Sequence, residues 1–416
     1  MRLFKLIPAI SCCFILGGCS QHKPDNNDIS TNYIAPKESL NIGYAKNYLE
    51  FVPKINDIKP FTKNDPYIYI YNEINQSLNT IAKLDYSWVC EPTINRKIAN
   101  GITLSTITCS GKWPDDIPKG YITKQNINNI KTNIINIDLN NDNIFVKPVI
   151  TADVNNNQAC INEGDDACIK PLLQSIIGFN KTSSNSEIIA AINGGFFMRP
   201  YEYYHYNCLW EQVGRTNIDY TKPIDTTYLG NSLIIKDGEI IAYDCALFGK
   251  SAVFNPKRPN LLIPTKGKAV IKSMLPGVQE NQYKGYKQGI GGGALLIEDR
   301  KYAIDWSGLN PFFEFAATSA IALTSSNHLL LLTSDGEDNK SGTFPFETAN
   351  MLKTVFSKAL NVEIESAMTV DRGGSATLIL CQSNGGNCKI ISDSGSGKKG
   401  RPIFSGLGIY LNESNK

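Results

Sequence analysis

Three acids in this chain stand where an apolar run gives way to a polar turn. Asp335 follows HLLLLTS (His328 to Ser334), Asp371 follows SAMTV (Ser366 to Val370), and Glu347 falls in the first turn of a helical pattern that starts at Phe346. Continuous apolar runs of this length read as core strands, so the first polar residue after each emerges at a sheet edge, where its carboxylate can meet a ligand. If the two strands are neighbours, Asp335 and Asp371 share one pocket, and paired carboxyl groups are what acid–base and glycoside chemistry requires. Glu347 is a third candidate acid, and equally a partner for the dipole of its own helix.

Glycine accompanies these acids. Asp371 is followed at once by Arg372, Gly373, Gly374 and Ser375, a turn with few side chains. AAINGGFF (Ala190 to Phe197) ends an apolar strand in Asn193, Gly194 and Gly195. The bare backbone there can approach a ligand closely or adopt positive φ, and the Asn193 amide can both donate and accept. GIGGGALLIEDR (Gly289 to Arg300) also concentrates glycine, but it opens a strand, whereas a dinucleotide-binding GxGxxG must open a helix. Close approach of its backbone to a sugar or to another strand fits instead. Ser375 has neither a nucleophile elbow nor an evident histidine partner, so its expected role is to bind substrate or to satisfy the turn.

Composition narrows the partners. The 416 residues carry a formal net charge of +2 with 19% charged side chains, which offers no basic surface to nucleic acid. Arg2 and Lys5 precede an apolar stretch, Leu6 to Leu16, that is too short to span a bilayer. It closes with Leu16-Gly17-Gly18-Cys19, which looks like the lipobox of bacterial lipoproteins. The expectation is a signal peptide over 1–18, lipidation at Cys19, a polar tether over 19–37 and membrane attachment through the anchor. Ser20 is not the aspartate of an inner-membrane retention signal, which favours the outer membrane.

Of the 11 cysteines, Cys12 and Cys13 belong to the leader and Cys19 to the anchor. The others, Cys90, Cys109, Cys160, Cys168, Cys208, Cys245, Cys381 and Cys388, form an even set that suits disulfides in an exported chain, although many pairings are open. Cys381 with Cys388 is the most convincing, because LILCQSNGGNCKII is two apolar strands around a glycine-rich turn. Pairing of sequence neighbours elsewhere gives Cys90–Cys109, Cys160–Cys168 and Cys208–Cys245. No CxxC follows the leader and the histidines are His22, His205 and His328, so neither a metal site nor a cofactor is expected.

The acids need a scaffold, and strands dominate it. Candidate strands are Glu187 to Asn193, Ser232 to Tyr243, Ala294 to Ile304, His328 to Gly336 and Phe404 to Leu411. NIINIDL and IFVKPVI (133–139 and 144–150) flank a turn and read as a hairpin. Helical periodicity stands out only over Ala167 to Gly178 and Phe346 to Leu360. The pattern predicts an α+β fold with a twisted, mainly antiparallel sheet core and few helices over 125–411. Before it lies a small accessory region, 38–120, with strand-like runs such as YIYIY (Tyr67 to Tyr71).

INGGFF, GGGALLI, an apolar strand ending in SDG, then SG, a helix containing FETANM, DRGGSATLIL and GRPIFSGLGIYL follow one another in an order that resembles the phosphodiester glycosidase family, from about residue 125 to 411. The resemblance implies hydrolysis of the bond between a sugar's anomeric carbon and a phosphodiester oxygen. It matches Asn193, Gly194 and Gly195 to the family's NGG, Asp335 and Gly336 to its DG, Glu347 to its helix acid, Asp371 and Ser375 to its DGGGS, and Arg401 to the arginine before the last strand. Three positions depart: Arg372 replaces a glycine, Thr318 stands where an arginine is expected, and Glu337 replaces an arginine after DG. A buried phosphodiester requires cations or N–H donors. Arg372, Arg401 and the N–H groups of Gly373 and Gly374 are the candidates to hold it. The bland alternative for Arg372 is a salt bridge to Asp335 or Glu347.

Overall fold

The computed structural model describes residues 79–80, 82–112, 126–151, 170–183, 186–195, 232–242, 258–274, 280–306, 316–336, 341–382 and 387–412. Cys19 with the leader and tether, the YIYIY run, Cys160, Cys168, Cys208, Cys245 and Glu337 lie outside these residues.

Strands are numbered β1 to β18 along the chain. The largest sheet has eight strands in the order β1 (Ser87–Ala99), β2 (Ile102–Lys112), β3 (Asn126–Asp138), β14 (His328–Ser334), β13 (Thr318–Thr324), β15 (Ile364–Thr369), β11 (Ala294–Glu298), β12 (Lys301–Trp306). A five-stranded sheet runs β17 (Cys388–Ile390), β16 (Leu378–Cys381), β5 (Ser186–Asn193), β18 (Ser405–Asn412), β4 (Ile144–Ile150). A second five-stranded sheet runs β7 (Glu239–Ala242), β6 (Ile234–Lys236), β10 (Tyr286–Gly291), β8 (Arg258–Pro264), β9 (Val270–Met274). Each hydrogen-bonded pair in the eight-stranded sheet is antiparallel.

The continuous apolar runs are explained by burial on both faces. In β13, Ala320 and Ala322 face one core while Ile321 and Leu323 face another; in β14, Leu330 and Leu332 alternate in the same way with Leu329 and Leu331. The first core is closed by Phe346, Met351, Leu352 and Phe356 of the segment that begins as α2 (Pro345–Met351) and continues through a π-helical turn, Leu352–Phe356. The second lies between sheets and takes Val146, Ile189, Ile192, Leu378 and Leu407 from the other side. α1 (Leu172–Thr182) packs Leu172 and Ile176 on the far face of the five-stranded sheet against Ile188 and Ile379. The layers are therefore helix, sheet, sheet, helix, an α+β architecture of mostly antiparallel sheets. Each large apolar side chain buried in them contributes about 1.5–3 kcal/mol.

Two expectations change. The runs 133–139 and 144–150 do not form a hairpin: β3 pairs with β2 and β14, whereas β4 pairs with β18 in the other sheet. Asx hydrogen bonds from Asn140 N–H to Asp138 and from Asn143 N–H to Asn141 turn the chain between sheets there, because the same turn chemistry serves a corner as well as a hairpin. The described part of 38–120 is also continuous with the main sheet, since β2 pairs with β3 along most of its length. Two of the expected disulfides are present, each joining directly opposed residues of adjacent strands: Cys90–Cys109 across β1 and β2, and Cys381–Cys388 across β16 and β17.

Candidate active site

β13 runs antiparallel to β14 on one side and to β15 on the other, with Thr318 opposite Ser334 and Ala320 opposite Thr369. The ends of β14 and β15 consequently leave the sheet at one edge. Asp335 is the residue after β14, and Asp371 follows β15 by two. One intervening strand sets their backbones roughly 10 Å apart.

Asp371 is locked in place by the NGG segment. Its N–H donates to the Gly194 carbonyl (3.0 Å), and the Asn193 amide donates to the Asp371 carbonyl (2.8 Å) while accepting the Thr377 N–H (3.0 Å). Asn193 therefore spends its side chain on aligning the Asp371 loop. Gly194 and Gly195 permit close packing: a Cβ on Gly194 would collide with the Ser405 hydroxyl, and one on Gly195 with the Gly291 carbonyl. The Gly194 N–H is already given to Ser405 O (2.8 Å). The glycine run after β10 obeys the same logic, since a Cβ on Gly292 would lie 2.6 Å from Thr369 O. Its close approach is to another strand.

The Asp371 carboxylate accepts the Arg372 N–H (2.9 Å) through Oδ1, and its Oδ2 lies 3.8 Å from Nη2 of Arg401. Gly373 adopts φ 62°, a left-handed conformation open to glycine at little cost, and donates to Ala317 O (2.9 Å). A short 3-10 turn, Gly373–Ser375, follows. Ser375 is fully buried, and its hydroxyl finds no hydrogen-bond partner among the described residues, while the turn itself is satisfied by backbone bonds. A buried hydroxyl left this way costs stability unless something else engages it.

Arg372 extends toward β13. Its Nε donates to the Thr318 hydroxyl (3.1 Å) and its Nη2 to the Thr343 carbonyl. The guanidinium thus rests on the position from which the resemblance leads one to expect an arginine. Glu347 is fully buried in the first turn of α2, where its Oε2 accepts the Phe344 N–H (2.8 Å) at the helix start. Next to it the Thr343 and Thr348 hydroxyls are 3.0 Å apart, so Glu347 and Arg372 brace the same 343–348 segment.

The Asp335 corner has different contents. Oδ1 accepts the Asp393 N–H (2.8 Å), Oδ2 lies 3.8 Å from Lys131 Nζ, and the Gly336 N–H donates to Asp393 O (2.8 Å). Burial pushes the Asp335 carboxyl above its ordinary pKa and the Asp393 carboxylate adds to this, against the opposing pull of the Asp393 N–H and of Lys131.

One segment, Asp393 to Arg401, joins the two corners. It touches Asp335 at its start and Asp371 at its end, and between them the Ser396 hydroxyl donates to Gly374 O (2.6 Å). A Cβ on Gly374 would lie 3.0 Å from the Ser396 hydroxyl and 3.5 Å from Arg401, so this glycine lets the strap close. Asp393, Ser396, Thr343 and Lys131 were not anticipated from sequence. The one available signal was the glycine- and serine-rich run DSGSGKKGR between the disulfide hairpin and the last strand. Among the described residues no cluster of three or more His, Cys, Asp or Glu could hold a metal ion.

The model of the phosphodiester glycosidase family matches residues 186–410, more than half of the chain. No curated protein matches it in sequence. Among solved structures, the catalytic domain of zebrafish N-acetylglucosamine-1-phosphodiester alpha-N-acetylglucosaminidase, auto-inhibited by its pro-peptide, aligns with a TM-score of 0.45 and 16% identity, over 77% of this chain and 87% of that one. A hypothetical protein from Synechocystis aligns with a TM-score of 0.40 and 14% identity, over 77% and 64% respectively. A protein of Burkholderia pseudomallei described as exported gives 0.38 and 9%, over 78% and 96%.

Proposed function

This chain belongs to the phosphodiester glycosidase family, and on that premise we propose that it is an exported, lipid-anchored hydrolase cleaving the glycosidic bond of sugar-1-phosphodiesters in envelope or extracellular glycans. The observation that carries the reading is the pair of acids at one sheet edge, Asp335 and Asp371, bridged by a strap that ends in Arg401. Cleavage at the anomeric carbon passes through an oxocarbenium-like transition state. Asp371 supplies negative charge to it from a position fixed by Asn193. Asp335 retains its proton to higher pH than an ordinary carboxyl because it is buried, and so can protonate the departing oxygen.

A phosphodiester leaves readily, so positioning and charge stabilisation outweigh the proton donor. Arg401 and Arg372 hold its oxygens, and the Ser375 hydroxyl, without a partner among the described residues, is a ready donor; the expected Gly373 N–H is not, because it is already given to Ala317 O. The departures at Thr318 and Arg372 are coupled in this account: the guanidinium comes from the Asp371 loop and reaches the Thr318 hydroxyl from the opposite direction.

The test is release of free sugar from a panel of sugar-1-phosphate methyl diesters, beginning with N-acetylglucosamine, by the full chain and by Asp371→Asn and Asp335→Asn. Turnover lost in both variants supports the reading. Glycan binding without any wild-type turnover would instead mark a non-catalytic surface protein. Sugar phosphate as product, with solvent 18O on phosphorus, would mark P–O cleavage. The lipid anchor is tested separately: labelled palmitate should enter the wild-type chain and be absent from Cys19→Ser. Two disulfides in the fold support an oxidising compartment.

A further inference from the structure

The strap that links the two acids also carries the basic pair Lys398 and Lys399, both exposed and without an ion-pair partner among the described residues. Lys399 precedes Arg401 by two residues, so its Cα lies within about 7 Å of the Arg401 Cα, since a chain spans at most ~3.6 Å per residue. The lysine stems can therefore present their charges beside the guanidinium that faces Asp371. The strap's own acid does not cancel them: the Asp393 carboxylate accepts the Gly395 N–H (3.1 Å) at the far end. The segment is pinned by Ser396 on Gly374, and Gly397 and Gly400 hold positive φ on either side of the pair. No atom lies within 4 Å of where a Gly397 Cβ would stand, so the surface beside the lysines is open. On the other side of the acids, Lys131 is half-exposed beside Asp335. Cations therefore flank a site whose centre is acidic.

We propose that Lys398 and Lys399 form a second anion-binding subsite, one step beyond the scissile phosphodiester, and that the substrate is a chain carrying further phosphate groups rather than an isolated sugar-1-phosphodiester. Its role in catalysis rests on the glycosidase reading; the anion subsite itself does not. A single phosphodiester engages only the groups beside Asp371, whereas a chain with spaced phosphates engages Lys398 and Lys399 as well, which raises affinity and steers encounter.

The probes are orthophosphate and linear tripolyphosphate, titrated calorimetrically into the full chain at low and high salt. Wild type should prefer tripolyphosphate. Lys398→Ala/Lys399→Ala should shrink that preference roughly tenfold, the order expected for losing two exposed charge pairs. Lys398→Glu/Lys399→Glu should abolish it, and high salt should erode it in wild type. Lys266→Ala/Lys268→Ala, an exposed basic pair on the β8–β9 turn, should leave it intact. Equal wild-type affinity for both probes, a preference that survives in the strap variants, or an equal loss in the β8–β9 control overturns the subsite. Sugar release assayed on the same preparations separates the two ideas: a lysine-dependent preference without sugar release sinks the glycosidase reading and leaves the subsite standing.

Discussion

Asp371 and Asp335 flank one strand of one sheet, yet they enter different surroundings. Around Asp371 the neighbours are a guanidinium, a backbone N–H and an asparagine that spends its amide on holding the loop. Around Asp335 they are a backbone N–H, a solvent-facing lysine and a second acid, and burial dominates the carboxyl's titration. Two identical side chains thereby sit in different electrostatic settings, and in the proposed reaction this difference suits one to act as a fixed charge and the other as a proton carrier.

The largest expected effect tests the fixed charge. Asp371→Asn should lower kcat/KM on a sugar-1-phosphate methyl diester by on the order of 10³-fold, within the span found for groups acting in the transition state; a loss below tenfold would erase the contrast between the acids. Asp335→Asn should cost less, about ten- to a hundredfold, because the leaving group needs little protonation. It should also remove the alkaline limb of the pH–rate profile, which a purely structural role for Asp335 would leave in place.

Cys381→Ser/Cys388→Ser acts on both corners together, since the strap begins five residues after Cys388. Thermal unfolding should show a loss of about 2 kcal/mol, against about 3 kcal/mol for Cys90→Ser/Cys109→Ser, whose bridge closes the longer loop. Only the first pair should also lower kcat/KM, by a few-fold. Smallest is a gain. A carboxyl whose folded pKa lies above its unfolded value binds more protons in the folded state across that interval, so its contribution to stability declines as pH rises through it. Asp335→Asn should therefore raise Tm at pH 7 by about 1–3 °C, with the advantage fading below the ordinary carboxylate pKa. An equal shift at pH 3 and pH 7 would contradict the cause assigned to Asp335.

Much of this was legible in the residues, and the gaps have physical causes. Buried strands announce themselves through unbroken apolar runs, so the edge where Asp335 and Asp371 emerge could be anticipated. The 139–143 turn misled because Asn and Asp stabilise a bend without specifying which strand receives the chain afterwards. The strap was invisible because Gly, Ser and Lys carry no periodicity, and its function depends on hydrogen bonds across distant segments. The seating of Arg372 on Thr318 is likewise a contact between strand ends 54 positions apart. Glu347 could be read as a site acid or a helix partner; its bond to Phe344 N–H establishes the second role in the geometry, beside whatever it contributes to the site.

The last strand has a consequence for how the molecule is made. β18 lies between β5 and β4, and its Gly406 pairs with Asn193, the residue that aligns the Asp371 loop. A chain emerging N-terminus first would expose β4 and β5 as open edges until residues 405–412 arrived. Assembly of the Asp371 corner thus waits for β18, and a nascent chain stalled before that point would offer two open strand edges to chaperones and proteases.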